Sequence, residues 1–185
     1  CDAVVAEGFE AGGHNGREET TTMVLIPAVV KAVTIPVIAA GGIATGAQMA
    51  AALCLGASGV QVGSRFVATP EASSHLAFKE AVVNAGEGDT LLSLKQLTPV
   101  RLLKNKFFNE VYEAETRGAT KEELAQLLGR ARAKKGMFEG DLEEGELEIG
   151  QVSALIKEIK PAGEIVEELW QQCRATFQSF KQIME

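Results

Sequence analysis

The sequence predicts an α/β fold: the C-terminal part of a TIM-type (β/α)8 barrel, holding about its last three strands, with a small inserted helical domain. Three observations predict it. The runs Val37-Ile38-Ala39-Ala40 and Val60-Gln61-Val62 read as short β-branched strands that stop at Gly41-Gly42 and at Gly63. Residues 32–64 carry no charged side chain, the pattern of strands buried on both faces of a parallel sheet under helices. Strand-type starts near Ala3, Val37 and Val60 are each followed by a glycine-bearing loop and a helical pattern, an order that makes the strands parallel and the crossovers right-handed.

The elements follow in order. A strand begins at Ala3 and ends in the loop Glu7 to Gly16. Pro27 suits the first turn of a helix running to about Val33, where its missing N–H is unpaired in any case. After the strand at Val37, Thr45 reads as an N-cap and Gly56 as the residue just past the helix end, with Met49, Ala50, Leu53 and Cys54 as the apolar stripe. The third strand lies at Val60. Beyond Phe66 the character changes, with a helix from about His75 to Ala85, a segment from Thr90 to Asn105 with a strand-like start, then charged amphipathic helices. Thr120-Lys121-Glu122-Glu123 is a capping box ahead of Leu124, Leu127 and Leu128. Glu139 to Glu148 is acidic and reads as a loop, helical pattern resumes over Ile149 to Ile159, and a last helix from Pro161 puts Ile165, Leu169, Cys173 and Phe177 on one face. The expected organisation is 1–74 as barrel units, 75–136 as the small, mostly helical domain, and 137–185 as the return to the barrel. Three βα units cannot close an eight-stranded barrel, so five units are expected to precede Cys1, and these residues alone would expose the edge of the Ala3 to Ala6 strand.

Composition narrows the function. A formal charge of −7 with no basic stripe argues against a nucleic-acid partner, and a small-molecule substrate is expected. The uncharged stretch is no membrane span, because Pro36, Gly41, Gly42, Gly46, Gly56, Gly59 and Gly63 break it into pieces of globular length. No signal peptide is expected. Cys1, Cys54 and Cys173 are isolated, which supports neither a disulfide framework nor a metal site and suits a reducing, cytoplasmic setting. A homodimer is an open possibility.

Strands that end in glycine and open helices expose backbone N–H groups with no Cβ in the way, at the positive end of a helix. Gly41-Gly42 and Gly63-Ser64 are therefore two candidate phosphate seats, with the Ser64 hydroxyl as a further donor. Glycines at strand ends also serve tight turns, and the pairing of two such ends on successive strands tips the reading to phosphate. His14, in the loop Ala11-Gly12-Gly13-His14-Asn15-Gly16, is the acid/base candidate, with a solvent-exposed turn histidine as the alternative. His75 has no glycine neighbours and is read as structural. Arg65 pairs equally well with phosphate, with a glutamate or with a helix C-terminus, and is left out of the site. Glu7 is placed toward the barrel interior and Glu10 in the exposed loop.

The motifs Glu7-Gly8-Phe9-Glu10-Ala11-Gly12-Gly13-His14-Asn15-Gly16, Pro36 to Ala44 and Gln61-Val62-Gly63-Ser64-Arg65-Phe66, with Gly150 to Ile156 near the end, closely resemble the nitronate monooxygenase family. The same motifs occur in FMN-dependent enoyl-acyl-carrier-protein reductases. The resemblance implies a TIM barrel holding FMN, with Gly41, Gly42, Gly63 and Ser64 on its phosphate, Ala40 beside them, Ala11, Gly12 and Gly13 along the flavin, and His14 as acid/base over the flavin face. It also implies that Glu148 stands near the substrate, where some relatives carry a neutral residue. The expected activity is oxidation of alkyl nitronates with oxygen to carbonyl compounds and nitrite. NAD(P)H-dependent enoyl reduction is the alternative, and a non-catalytic phosphate-ligand module is the reading from another class.

Overall fold

A computed structural model describes residues 1–184. The fold is mixed α/β. Strands β1 (Val4–Glu7), β3 (Val37–Ala40) and β4 (Gly59–Gln61) form a parallel sheet in the order β1-β3-β4, with Glu7 beside Ala40 and Ala40 beside Gln61 at the strands' C-terminal ends. Helices α1 (Thr22–Ala32), α2 (Gly46–Cys54) and α7 (Ala162–Met184) pack on one face, and Ala6, Ile26, Val37, Ala39, Ala50, Ile165 and Leu169 form the core between them. On the other face Val5 is 53% exposed.

A second, antiparallel sheet has the order β2-β6-β5, from β2 (Gly13–His14), β5 (Thr90–Ser93) and β6 (Val100–Leu103). Helices α4 (Leu76–Asn84), α5 (Lys106–Thr116) and α6 (Lys121–Leu128) accompany it, after the single turn α3 (Ser64–Val67). Its core is Val100, Leu102, Phe107, Phe108, Val111 and Leu124. Segment 75–136, expected to be mostly helical, thus also holds a β-hairpin. All four residues of β6 are buried, so the strand lacks the alternation that announces a half-buried one.

The caps at Thr45 and Thr120 form as expected, each with a full capping box, and Gly56 takes φ +97° just past α2. His75 caps α4 through Nδ1, which accepts from the Ala77 N–H at 3.1 Å. Three expectations are corrected. Helix α1 starts at Thr22 and takes Pro27 into its interior, because the Glu10 carboxylate accepts from the Thr22 N–H and Oγ1 and anchors the helix one turn earlier. Cys54 is exposed and Ala52 takes its place in the core of α2. The helical reading of Ile149 to Ile159 shrinks to a 3-10 turn over Gln151–Leu155. On α7, Ile165, Leu169 and Cys173 are buried as expected, whereas Phe177 is 41% exposed.

Candidate active site

Three loops meet at the C-terminal ends of the parallel strands. The Gly150 N–H donates to Ser64 Oγ at 2.9 Å, and the Gln151 N–H to the Glu10 carbonyl at 3.0 Å. A Cβ on Gly12 would lie 2.3 Å from the Ile149 carbonyl carbon, so only glycine permits that approach. Between these loops opens a cleft of about 210 Å³, lined by Glu7, Glu10, Ala11, Gly12, Ala40, Gly41, Gly42, Gln61, Gly63, Ser64, Glu148 and Ile149 among others.

The glycines of the cleft differ in what requires them. Gly41 (φ +83°) and Gly42 (φ +70°) sit in the left-handed region, and a Cβ on Gly41 would also strike the Gly8 carbonyl oxygen at 2.6 Å. Gly63 has φ −104°, open to any residue, and a Cβ there meets nothing within 4 Å. Neither backbone nor packing demands glycine at 63. What its small size does provide is room in the cleft. Ser64 Oγ, an acceptor from Gly150, keeps its own proton to donate.

Seven of the nine residues singled out in the sequence, Ala11, Gly12, Ala40, Gly41, Gly42, Gly63 and Ser64, line this cleft together. Gly13 and His14 do not. They pair in β2 with Arg101 and Val100, and His14 faces a neighbouring cavity with Leu94, Leu97, Val100, Leu128, Arg132, Glu146 and Glu148. Glu148 is a wall common to both spaces. A Cβ on Gly13 would come within 2.6 Å of Glu148 Oε2. Glu10, expected to be exposed, is instead engaged with Thr22. Arg65 is buried and donates to the Glu158 carbonyl at 3.3 Å, with Glu158 and Glu168 as its charge partners, and it is not part of the cleft.

Three charged residues in or beside the two spaces escaped the residue-by-residue reading of the sequence. Arg101 is 1% exposed; its Nε and a terminal amine donate to the Phe9 carbonyl at 3.2 and 2.8 Å, and its guanidinium lies 4.4 Å from the Phe9 ring centre. Arg132 donates to the Leu127 and Leu128 carbonyls at the end of α6 and to the Glu144 carboxylate, over the Phe107 ring. Glu146 is 8% exposed, and burial together with the neighbouring Glu148 pushes its carboxyl up to about 7. Burial also raises Glu148, against an opposing pull from His14. The alternation Glu146-Leu147-Glu148-Ile149 is the signal that would have found the glutamates: an extended segment with two polar side chains on one face.

The nitronate monooxygenase family model matches residues 1–172. The chain belongs to the nitronate monooxygenase family. Among related proteins is one of Staphylococcus saprophyticus named "Probable nitronate monooxygenase", 34% identical over 149 residues, 73% of this chain and 42% of that protein. Among solved structures, FabK of Thermotoga maritima is 41% identical with a TM-score of 0.92 over 99% of this chain and 58% of that one. A nitroalkane oxidase of Streptomyces ansochromogenes is 31% identical with a TM-score of 0.80, over 97% of this chain and 54% of that one. The chain thus spans less than half the length of the curated family relative and a little over half of the solved chains. Among the described residues no group of three or more His, Cys, Asp and Glu could hold a metal ion, and no helix is long and apolar enough to cross a membrane.

Proposed function

We propose that this family member is an FMN-dependent oxidoreductase that reduces the carbon–carbon double bond of an enoyl thioester, carried by an acyl-carrier protein, with electrons from NAD(P)H. In this reading the parallel sheet is part of a (β/α)8 barrel, and the unit around the antiparallel sheet is inserted into it. The residues of the cleft fit FMN. Gly63, required by neither backbone nor packing, leaves space where a phosphate can meet backbone N–H groups, and Ser64 adds a hydroxyl. Gly41, Gly42, Gly63 and Ser64 would hold the phosphate, with Ala11, Gly12 and Ala40 along the rest of the cofactor. When bound, the flavin supplies hydride transfer.

The observation that carries the substrate class is the charge of the His14 cavity. Apart from His14, its ionisable lining is Glu146, Glu148 and Arg132, and the guanidinium is already held by Glu144 and two carbonyls. A nitronate is an anion and would face two carboxyls with no uncommitted cation besides His14, whereas an enoyl thioester is neutral. Leu94, Leu97, Val100 and Leu128 offer it an apolar wall. In this reading His14 would give a proton to the carbon next to the one that takes up hydride. The likeness to FabK, 41% identical over 99% of this chain, supports the same reading. A second reading, oxidation of alkyl nitronates by oxygen to carbonyl compounds and nitrite, has the family model and the nitroalkane oxidase in its favour.

The visible spectrum under anaerobic conditions decides between them. Bleaching of a yellow protein by NAD(P)H and return of the colour on adding an enoyl thioester is the expected result. Oxygen uptake with a nitronate and no NAD(P)H would instead establish the second reading. A protein that stays colourless after reconstitution with FMN would overturn both.

A further inference from the structure

Two carboxyls beside the acid/base histidine call for a role of their own. Residues 146–149 run extended along β6: Leu102 bridges Glu148 antiparallel, and the Leu103 N–H donates to the Leu147 carbonyl at 2.8 Å. Alternate residues of an extended segment share a face. Leu147 and Ile149 are buried in an apolar cluster with Phe78, Val82 and Ile156, and Glu146 and Glu148 line the His14 cavity. Two residues of strand rise separate their backbones by about 6.6 Å, a gap two flexible glutamate arms can close.

We propose that Glu146 and Glu148 act as one carboxyl pair that holds a single shared proton at neutral pH and resupplies His14 after each turnover. The proposal rests on the enoyl reductase reading for the identity of the proton acceptor. The alkene takes up a hydride that originates on reduced nicotinamide, and its π electrons take the imidazolium proton of His14 at the neighbouring carbon. The imidazole then takes the proton of the carboxyl pair, and the pair regains one from water. One hydride and one proton saturate the double bond, and oxidised nicotinamide leaves.

The charged and titratable groups facing the pair are few. His14 comes from β2, and Arg132 comes from the segment after α6, committed to Glu144, which Lys106 also binds. Two carboxyls in apolar surroundings with so little compensation give up their second proton at higher pH than exposed ones do. Glu146 follows this, raised to about 7 by burial and by Glu148. Glu146 and Glu148 act through His14 and are positioning residues; neither need touch the substrate.

The test follows the His14 imidazole by NMR in the FMN-loaded protein between pH 5 and 9, alongside the pH profile of enoyl thioester turnover. In the wild type the His14 signal should report an inflection near pH 7, as the pair passes from one negative charge to two, and turnover should fall about tenfold per unit above it. Glu146→Gln should abolish that inflection and move the alkaline limb down by about one unit, because the remaining carboxyl loses the neighbour that retained its proton. Glu148→Gln should do the same and serves if the first variant misfolds. Flavin bleaching by NAD(P)H should persist in Glu146→Gln, since Glu146 does not line the glycine cleft. A His14 titration and an alkaline limb that stay put in both variants would overturn the pair. Bleaching by NAD(P)H without any turnover of enoyl thioester would overturn the substrate reading instead, while the His14 titration still decides the pair.

Discussion

At the scale of single residues, the structure separates two jobs that lie three positions or fewer apart in the sequence. Ala11 and Gly12 line the glycine cleft; His14 faces the neighbouring cavity. His14→Ala should therefore retain FMN and lose turnover by about 10²–10⁴-fold, the range for a lost general acid, as read from bound flavin absorbance against initial rates. Gly63→Val should do the reverse. Its φ of −104° and open surroundings accept a side chain, so the thermal midpoint of the flavin-free protein should hold while flavin content collapses. Gly42→Val is a less clean probe, because φ +70° adds a backbone cost of about 1–2 kcal/mol before any ligand is considered. A Gly63→Val protein purified with full flavin would refute the phosphate assignment.

At the scale of elements, the two sheets are joined by one buried arginine. Arg101, on β6, reaches the Phe9 carbonyl in the loop that follows β1, and so fixes where Ala11 to His14 lie. Burial holds its guanidinium below the ordinary arginine range, yet Glu10 and Glu19 oppose that and it stays a cation. Arg101→Met keeps the apolar stem and strands the carbonyl, which should cost about 1–3 kcal/mol in denaturant unfolding and weaken FMN retention together with it. Full stability with full flavin content would show that the loop needs no such tie. Helix α1 shows the same dependence on distant contacts, since the Glu10 carboxylate twelve residues back sets its start. A local rule placing Pro27 in the first turn has no access to that anchor.

At the scale of the whole molecule, two properties follow. Glu146 has its folded-state pKa raised to about 7 from an ordinary 4.5. Below the unfolded value its contribution to stability is fully present, and it is lost as pH rises through the folded value, so between about pH 4.5 and 7 the protein should grow less stable. Thermal midpoints measured across that window should fall more gently for Glu146→Gln, and identical slopes would contradict the assignment. The parallel sheet has β1 and β4 at its edges, with Val5 exposed on the face away from the helices. A polypeptide of these 185 residues alone should therefore self-associate and bind FMN weakly. A sharp, concentration-independent transition of a yellow monomer in analytical ultracentrifugation and melting would show that the exposed face needs no cover.

What the sequence by itself determined is what depends on neighbours a few residues away. The uncharged run over 32–64 and the glycine stops located β3, α2 and β4, the caps at Thr45 and Thr120 set helix starts, and Gly41-Gly42 with Gly63-Ser64 marked the cleft. Local sterics and hydrogen bonds decide such features, and they are written in short stretches of chain. Tertiary structure alone decided that β6 is a fully buried strand, that Arg101 binds the Phe9 carbonyl 92 positions away, and that residues 146–149 bring two carboxyls to the cavity of His14. Those depend on which surfaces meet. Burial and the fall in dielectric that raises Glu146 exist only once segments distant in the chain have closed around it.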